Sequence, residues 1–314
     1  MNTASSPCLC VVGDTHGHLQ LALCMAARWQ EELGLGFDAV LLCGDVGTFT
    51  EASQLDNATR RHARNNPCEL EFLHQWAAVP QPEWIQKIFR PPAQDGCGLE
   101  CPVVMVHGNH EGFTHLERLI PSHFPNEPIA ITSLPAVDSG GHVRYLPSGW
   151  RCVTPAGLVI GGVGGIERGQ RRAKYHELAY VNDEAVLHLL NGPKFDILLT
   201  HQGPTTTQGE AGSATLQLLL DARMARVWFH GHSIPNRAIF PAGASGTTSV
   251  VPLADAAFHG KGPDAGFPGD KAWARVQWGR EIVVERTRPS VWREFHRRRW
   301  LPLLNGQLVC PRLL

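Results

Sequence analysis

Five apolar runs in this chain of 314 residues stop abruptly in glycine and in side chains that commonly bind metals, and this repeated pattern constrains the fold most. One run, Val103–Val106, leads into His-Gly-Asn-His-Glu. The others lead into Gly-Asp-Thr-His-Gly at 13–17, Gly-Asp-Val-Gly at 44–47, Thr-His at 200–201 and His-Gly-His at 230–232. Such short β-branched runs are typical of buried strands. Because parallel strands joined by crossovers place the following loops at one edge of a sheet, we expect these polar residues to converge.

Strands and helices alternate at the start of the chain. The run Cys8–Val12 predicts a strand, and apolar residues at near-helical spacing over 19–33 predict a helix that ends at Gly34. The run Phe37–Cys43 predicts the next strand. Strand, loop, helix and strand in this order are typical of an α/β fold with parallel strands.

The chain contains no internal repeat and no linker, so we predict one domain over residues 1–314. A less regular segment at about 48–102 is predicted to be a cap or a substrate loop inserted into that domain, because long excursions in compact domains are commonly functional. A solvated surface excursion is the alternative. The residues at about 237–314 are predicted to form a C-terminal strand and tail region.

The composition excludes several classes of protein. Hydrophobic residues make up 43% and charged residues 18%, which is typical of a folded globular chain and not of a disordered one. The formal net charge of −1 gives no overall attraction to nucleic acid or to a membrane surface, so an anionic substrate has to be attracted locally. No apolar run approaches the ~20 residues that span a bilayer, and the nine cysteines are scattered. We therefore expect no membrane span, reduced thiols and a cytoplasmic location.

The polar residues after the five runs have the donor atoms that a pair of divalent cations needs. Asp14 and His16 flank Thr15, so an extended loop can direct both at one ion, and Asp45 is a lone carboxylate suited to bridging two ions. The amide and imidazole donors are Asn109, His201, His230 and His232. Alone, a histidine is more often structural and a Gly-Asp pair is usually a turn, but five such strand ends in one chain predict a two-metal site. Mixed nitrogen and oxygen donors suit Mn, Fe, Zn or Co, of which we favour Mn.

The ordered set Gly-Asp-Thr-His-Gly, Gly-Asp-Val-Gly, Gly-Asn-His-Glu, Thr-His and His-Gly-His resembles the calcineurin-like metallophosphoesterase superfamily over about Val11–His232. The resemblance implies a four-layer αββα sandwich of two mixed sheets flanked by helices, with two divalent metal ions in its centre. It implies that one metal is held by Asp14, His16, Asp45 and His232, and the other by Asp45, Asn109, His201 and His230. It also implies that His110 binds no metal and acts on the leaving group.

A narrower resemblance concerns three segments, Leu158–Ile166, Tyr180–Leu190 and Phe195–Pro204. In order and spacing they are similar to the catalytic domain of RNA lariat debranching enzymes, which hydrolyse the 2′–5′ phosphodiester of branched RNA. Eukaryotic members typically carry Cys at the position of Asp14 and an additional C-terminal domain. The resemblance therefore implies a shared scaffold, with a carboxylate in place of the thiolate in the first metal site.

These observations predict a metal-dependent phosphoric ester hydrolase. We expect a phosphodiesterase that acts on a nucleotide or an RNA-type substrate, with attack by a hydroxide that bridges the two metals. His110 is expected to donate a proton to the leaving oxygen or to stabilise its negative charge, and Glu111 is expected to support His110. A phosphomonoesterase that acts on phosphoserine or phosphothreonine in proteins, or on small molecules, is the first alternative. The second alternative is a metal-bound scaffold protein without activity.

A basic segment follows the glycine-rich run and is the candidate for binding the phosphates of the substrate. Arg168, Arg171 and Tyr175 are predicted to bind substrate, beside Arg172 and Lys174. A solvated basic loop is the alternative interpretation. The sequence indicates no particular protein partner and no membrane partner.

Overall fold

The computed structural model describes residues 6–169, 176–208, 211–232, 248–258 and 260–300, and places them in two six-stranded sheets with flanking helices. Both sheets mix parallel and antiparallel neighbours. This architecture confirms the α/β sandwich of two mixed sheets that the sequence predicts.

The first sheet is built around the strand that carries the first polar cluster. In spatial order its strands are β12 (Ile282–Arg286), β11 (Trp273–Trp278), β1 (Cys8–Val12), β2 (Ala39–Leu42), β3 (Val103–Met105) and β5 (Val143–Tyr145). Strands β1, β2, β3 and β5 run parallel, whereas β11 runs antiparallel to β1. The first three parallel strands therefore end at the same edge, and Gly13, Gly44 and Gly108 lie just beyond it.

The second sheet contains the two strands that lead to the predicted histidine ligands. In spatial order its strands are β10 (Ser249–Pro252), β9 (Ala225–His230), β8 (Phe195–Thr200), β7 (Val159–Val163), β6 (Arg151–Val153) and β4 (Ile129–Ala130). The pairs β7/β8, β8/β9 and β9/β10 are parallel, so His201 and His232 leave this sheet at one edge. Residues 237–247 and 301–314 of the predicted C-terminal strand and tail region lie outside the described residues.

The two sheets pack face to face, and side chains alternate between the inner core and the outer layers. In β1, Leu9 and Val11 belong to the core between the sheets, whereas Cys10 and Val12 belong to a cluster with the helices outside the first sheet. A third cluster, which includes Leu216, covers the outer face of the second sheet. Helices, sheet, sheet and helices thus form four layers.

The described helices are mostly short. They are α1 (Leu19–Leu33), α2 (Asn57–Ala63), α3 (Glu83–Phe89), α4 (Phe113–Glu117), α5 (Asp183–Asn191), α6 (Thr205–Gln208), α7 (Ala214–Asp221) and α8 (Arg297–Trp300). Helix α1 has the predicted bounds and ends where Gly34 adopts a left-handed conformation with φ of 64°. In the part of the chain that the structure describes, no helix is long and apolar enough to cross a membrane.

The segment at 48–102 folds into short helical pieces instead of one long element. Helix α2 and a π-helical turn at Phe72–Trp76 belong to it. The buried Glu71 carboxylate anchors the segment to α1, because it accepts the Gln20 backbone N–H at 2.7 Å and the Trp76 indole N–H at 2.9 Å. Burial raises the pKa of Glu71 to about 8. The assignment of the segment as a cap or substrate loop stays a prediction.

We expect the free energy of unfolding of the Glu71→Gln variant to rise, relative to that of the wild type, between about pH 5 and pH 8. The folded pKa of Glu71 exceeds the unfolded one, so folding takes up a proton in this range. Wild-type stability therefore falls as pH rises through it, by at most ~1.4 kcal/mol per pH unit, whereas glutamine does not titrate. Urea unfolding at several pH values measures the difference. The exposed variant Glu100→Gln is the control, and a Glu71→Gln difference that is constant with pH would contradict the prediction.

Candidate metal centre

The loops after β1 and β2 bring two aspartates together at the edge of the first sheet. Asp14 and Asp45 are each 2% exposed, and the backbone at Asp45 is left-handed with φ of 46°. The loop after β3 holds Asp45, because its Oδ1 accepts the His110 backbone N–H at 2.8 Å. The first two loops are joined as well, since the His16 N–H donates to the Asp45 carbonyl oxygen at 2.7 Å. The backbone therefore fixes the positions of both carboxylates.

Two histidines from the second sheet complete a four-residue cluster. Donor atoms of its members all lie within 4.8 Å of one another, and the members are Asp14, Asp45, His201 and His232. The His201 Nε2 lies 3.6 Å from the Asp45 Oδ2, and its Nδ1 lies 3.4 Å from the Asp14 Oδ1. His232 donates its backbone N–H to the Asp14 Oδ2 at 2.8 Å. His16 also approaches, with its Nε2 3.7 Å from the Asp45 Oδ2. Carboxylates and imidazoles at this spacing could hold a divalent cation.

The buried His201 ring is oriented through both of its nitrogens. Its Nδ1 lies 3.1 Å from the Cys43 carbonyl oxygen, and its Nε2 lies 3.0 Å from the Asn109 amide oxygen. When Nδ1 donates to the carbonyl, the neutral ring presents Nε2 as a metal donor beside the Asn109 oxygen. The structure therefore brings Asn109 to the four-residue cluster, next to the other donors predicted from the sequence.

The electrostatics of the cluster fit a cation. Burial disfavours a charge on His201, but the carboxylates of Asp45 and Asp14 outweigh it and raise the pKa of His201 to about 10. Burial likewise opposes the charge on Asp45, yet His201 and His16 lower the pKa of that carboxyl. The Asp14 Oδ1 is buried and accepts no hydrogen bond from the described residues. A divalent cation would satisfy this oxygen and replace the proton on His201, so the donor set fits a bound metal.

His230 is placed differently from the other predicted ligands. It is the last residue of β9, is 0% exposed and does not belong to the cluster that the described donors form. Its ring packs on Gly203, where a side-chain carbon would lie 2.5 Å from the ring. Its Nδ1 lies 2.9 Å from the Gly231 carbonyl oxygen. The assignment of His230 as a metal ligand stays a prediction.

His110 stands beside the cluster with an acidic partner from the segment at 48–102. Its Nδ1 lies 2.9 Å from the Asp56 Oδ2. Burial favours the neutral imidazole, but the hydrogen bond to Asp56 and the charge of Asp45 raise the pKa of His110. Asp56 is also the N-cap of α2, where it accepts the Thr59 backbone N–H at 2.8 Å. These hydrogen bonds outweigh burial and lower the pKa of Asp56 to about 2. The geometry thus favours a protonated imidazole next to the cluster.

The Glu111 carboxylate holds the loops after β2 and β3 together. Its Oε1 accepts the backbone N–H of Val46 at 2.9 Å and of Gly108 at 3.2 Å. Its Oε2 accepts both the backbone N–H and the hydroxyl of Thr48 at 2.8 Å. Glu111 therefore supports the loop that carries Asp45. Its predicted support of the histidine beside it stays a prediction.

Two aspartates near the cluster are not among the residues predicted from the sequence. The capping pattern of Asp56 predicts the start of a helix, but nothing local indicates its contact with His110, 54 positions later. Asp255 forms a second group with Asp14 and His16, in which the donor atoms lie within 4.8 Å of one another. Loss of hydration and the Asp14 carboxylate raise the pKa of Asp255 to about 6. The sequence feature that could have indicated Asp255 is its position, because it is a carboxylate that follows an apolar run.

The predicted substrate-binding residues are described only in part. Four of the basic and aromatic residues lie outside the described ranges, namely Arg171, Arg172, Lys174 and Tyr175. Arg168 forms an ion pair with Glu177, and its guanidinium lies over the Tyr180 ring, 4.8 Å from the centroid. It lines a cavity of about 620 Å³ that Trp150 and the buried His107 also line. The binding role of Arg168 stays a prediction.

A smaller cavity opens directly beside the cluster. Its volume is about 190 Å³, and His16 and His110 line it together with Asn66 and Glu69 of the segment at 48–102. Asp255 forms part of the same wall. The space next to His110 is therefore small, and several residues with polar side chains line it.

Comparison with known proteins adds a family to this geometry. A search of curated proteins finds no match. Among solved structures, the chain is similar to TT1561 of Thermus thermophilus, with a TM-score of 0.44 and 13% identity over 90% of this chain and 99% of that one. It is also similar to GAP50, the anchor in the inner membrane complex of Plasmodium, with a TM-score of 0.46 and 12% identity over 92% and 86%. Nothing in these comparisons points to the RNA lariat debranching enzymes. Residues 9–235 match the profile of the calcineurin-like phosphoesterases, so the chain belongs to this family.

Proposed function

We propose that this chain is a metal-dependent phosphoesterase whose centre is the four-residue cluster. The observation that carries the proposal is the position of His110, whose ring Asp56 holds next to that cluster. A metal that only stabilised a scaffold would have no use for a positioned proton donor. The pairing therefore favours hydrolysis over the alternative of an inactive scaffold protein.

Two divalent ions would be held by the four-residue cluster together with His16 and Asn109, and we favour Mn over Fe, Zn and Co. When bound, such ions supply an activated water and neutralise the phosphoryl oxygens. Asp45 is the carboxylate best placed to serve both ions, because His16 and His201 approach its Oδ2 at 3.7 and 3.6 Å. The assignment of His230 to the second ion has less support, because it does not join the cluster of described donors.

The contribution of the chain to the chemical step is to hold and move one proton. In hydrolysis a bond forms between phosphorus and the water oxygen, while the bond from phosphorus to the leaving oxygen breaks. His110 is the residue that we assign as the donor of the proton that the leaving oxygen takes up. Asp56 remains ionised, because its pKa is lowered to about 2, and it stabilises and orients the protonated ring until transfer.

We further propose a phosphodiester of the nucleotide or RNA type as the substrate. The cavity of about 620 Å³ supports this class, because its volume is typical of small-molecule sites and the Arg168 guanidinium, which pairs with Glu177, lies on its wall. A phosphomonoester is the second candidate. The cavity of about 190 Å³ beside His110 favours it, because that space accommodates a compact leaving group.

We expect the His110→Ala variant to keep the metal content of the wild type and to lose turnover by roughly 10²–10⁴-fold, as is typical for loss of a general acid. Elemental analysis after dialysis measures the metal, and a chromogenic phosphodiester measures turnover. His74→Ala, which removes an exposed histidine of the segment at 48–102, is the control. Full activity of His110→Ala with unchanged metal content would remove His110 from the mechanism.

The Asp56→Asn variant tests the effect of Asp56 on His110 separately from its role as the N-cap of α2. Asparagine also caps helices well, so α2 and the Tm of the protein should change little. Loss of the carboxylate lowers the pKa of His110, because the ring loses its anionic partner. When kcat is plotted against pH, the alkaline limb should therefore move to lower pH. The maximal kcat should fall by roughly 10-fold or more. An unchanged pH profile would limit Asp56 to a role in the helix.

The substrate class is tested by comparing five compounds with Mn²⁺ supplied. They are a generic phosphodiester, a phosphomonoester, a 2′,3′-cyclic nucleotide, a phosphopeptide and a 2′–5′ branched oligonucleotide. We expect one of the diesters to give the highest kcat/KM. A strong preference for the phosphopeptide or the monoester would favour a phosphomonoesterase, and turnover of none of them with any divalent ion would favour the scaffold protein.

A further inference from the structure

The chain segment after β10 returns to the cluster and carries Asp255. Pro252 in β10 lies opposite His230 in the parallel strand β9, so the chain leaves the sheet at the edge of the predicted ligands. The backbone then joins the loop after β1, because the Ala256 N–H donates to the Asp14 carbonyl oxygen at 2.7 Å. This hydrogen bond places Asp255 next to Asp14.

The Asp255 carboxylate forms a donor group with Asp14 and His16, in which one donor atom of each lies within 4.8 Å of the others. Donors bound to one ion at about 2.0–2.2 Å lie roughly 3–4 Å from one another. Small side-chain movements would therefore bring all three donors onto one cation. The spacing of the group is compatible with shared coordination.

Asp255 is exposed to solvent, and two observations favour a cation between it and the buried Asp14. The buried Asp14 Oδ1 accepts no hydrogen bond from the described residues, although buried carboxylate oxygens are normally paired. Within the described ranges no residue donates a hydrogen bond to Asp255 either, although its carboxylate lies within 4.8 Å of the Asp14 carboxylate. A carboxylate retained for structure would be expected to have a donor. Two carboxylates at this separation are stabilised by a cation between them.

The described donors form two groups that share Asp14. One group adds Asp45, His201 and His232, and the other adds His16 and Asp255. In the second group, Asp255 is the one member that is not among the ligands predicted from the sequence. We propose that Asp255 binds the first metal together with Asp14 and His16, an inference that rests on the metal centre of the proposed function.

Manganese binding to the whole protein tests this proposal without reference to activity. Metal is removed with a chelator, and Mn²⁺ is titrated calorimetrically into the wild type, Asp255→Asn and Glu281→Gln. Glu281 is an exposed carboxylate in the turn between β11 and β12, at the opposite end of the first sheet. We expect the wild type to bind two ions, Asp255→Asn to bind one of them roughly 10- to 100-fold more weakly, and Glu281→Gln to match the wild type.

Thermal unfolding separates a ligand from a structural residue. In chelator, Asp255→Asn should unfold at or above the temperature of the wild type, because it loses a like charge that lies within 4.8 Å of the Asp14 carboxylate. Mn²⁺ should then stabilise the variant less than the wild type. A lower Tm of the variant in chelator, or two ions bound with unchanged affinity, would overturn the assignment of Asp255 alone. A wild-type protein that binds no Mn²⁺ would overturn the proposed function together with it.

Discussion

Two buried carboxylates at one edge of the sandwich are the constraint to which the surrounding structure responds. Oxygens of Asp14 and Asp45 lie within 4.8 Å of one another, and two like charges at such a separation repel by about 3 kcal/mol at an effective dielectric constant of about 20. Backbone N–H groups of His110 and His232 offset part of this repulsion, since each donates to one of the carboxylates. A proton on the His201 ring offsets more of the repulsion between the carboxylates, and the pKa of His201 is raised for that reason. The arrangement is favourable around a cation and costly without one.

The fold reaches this crowded geometry through its backbone. A Cβ at Gly231 would lie 1.8 Å from the Asp14 Oδ1, and a Cβ at Gly108 would lie 2.0 Å from the Asp45 Oδ1. Glycine at these two positions therefore lets the loops after β9 and β3 approach the carboxylates closely. The left-handed backbone at His16 and Asp45, with φ of 42° and 46°, turns the first two loops sharply at an energetic cost. The hydrogen bond between the His16 N–H and the Asp45 carbonyl stabilises both turns.

The strand ends could be predicted because their signals are local. An apolar run and the polar residues that follow it lie within a few positions, so the sequence alone identifies Asp14, Asp45 and His201 as neighbours of buried strands. The spacing of His-Gly-His is less informative. Residues two positions apart share a face of an extended strand, but β9 ends at His230 and the backbone turns at His232, with φ of 46°. The spacing alone does not indicate this turn.

Asp56 could not be predicted in the same way, because its contact with His110 joins residues 54 positions apart and depends on tertiary structure. That contact links the segment at 48–102 to the loop after β3. A displacement of α2 would break the hydrogen bond that orients the His110 ring. Glu71 restrains such a displacement, because it ties the same segment to α1 through Gln20. The position of α2 and the orientation of the His110 ring are therefore coupled through their hydrogen bond.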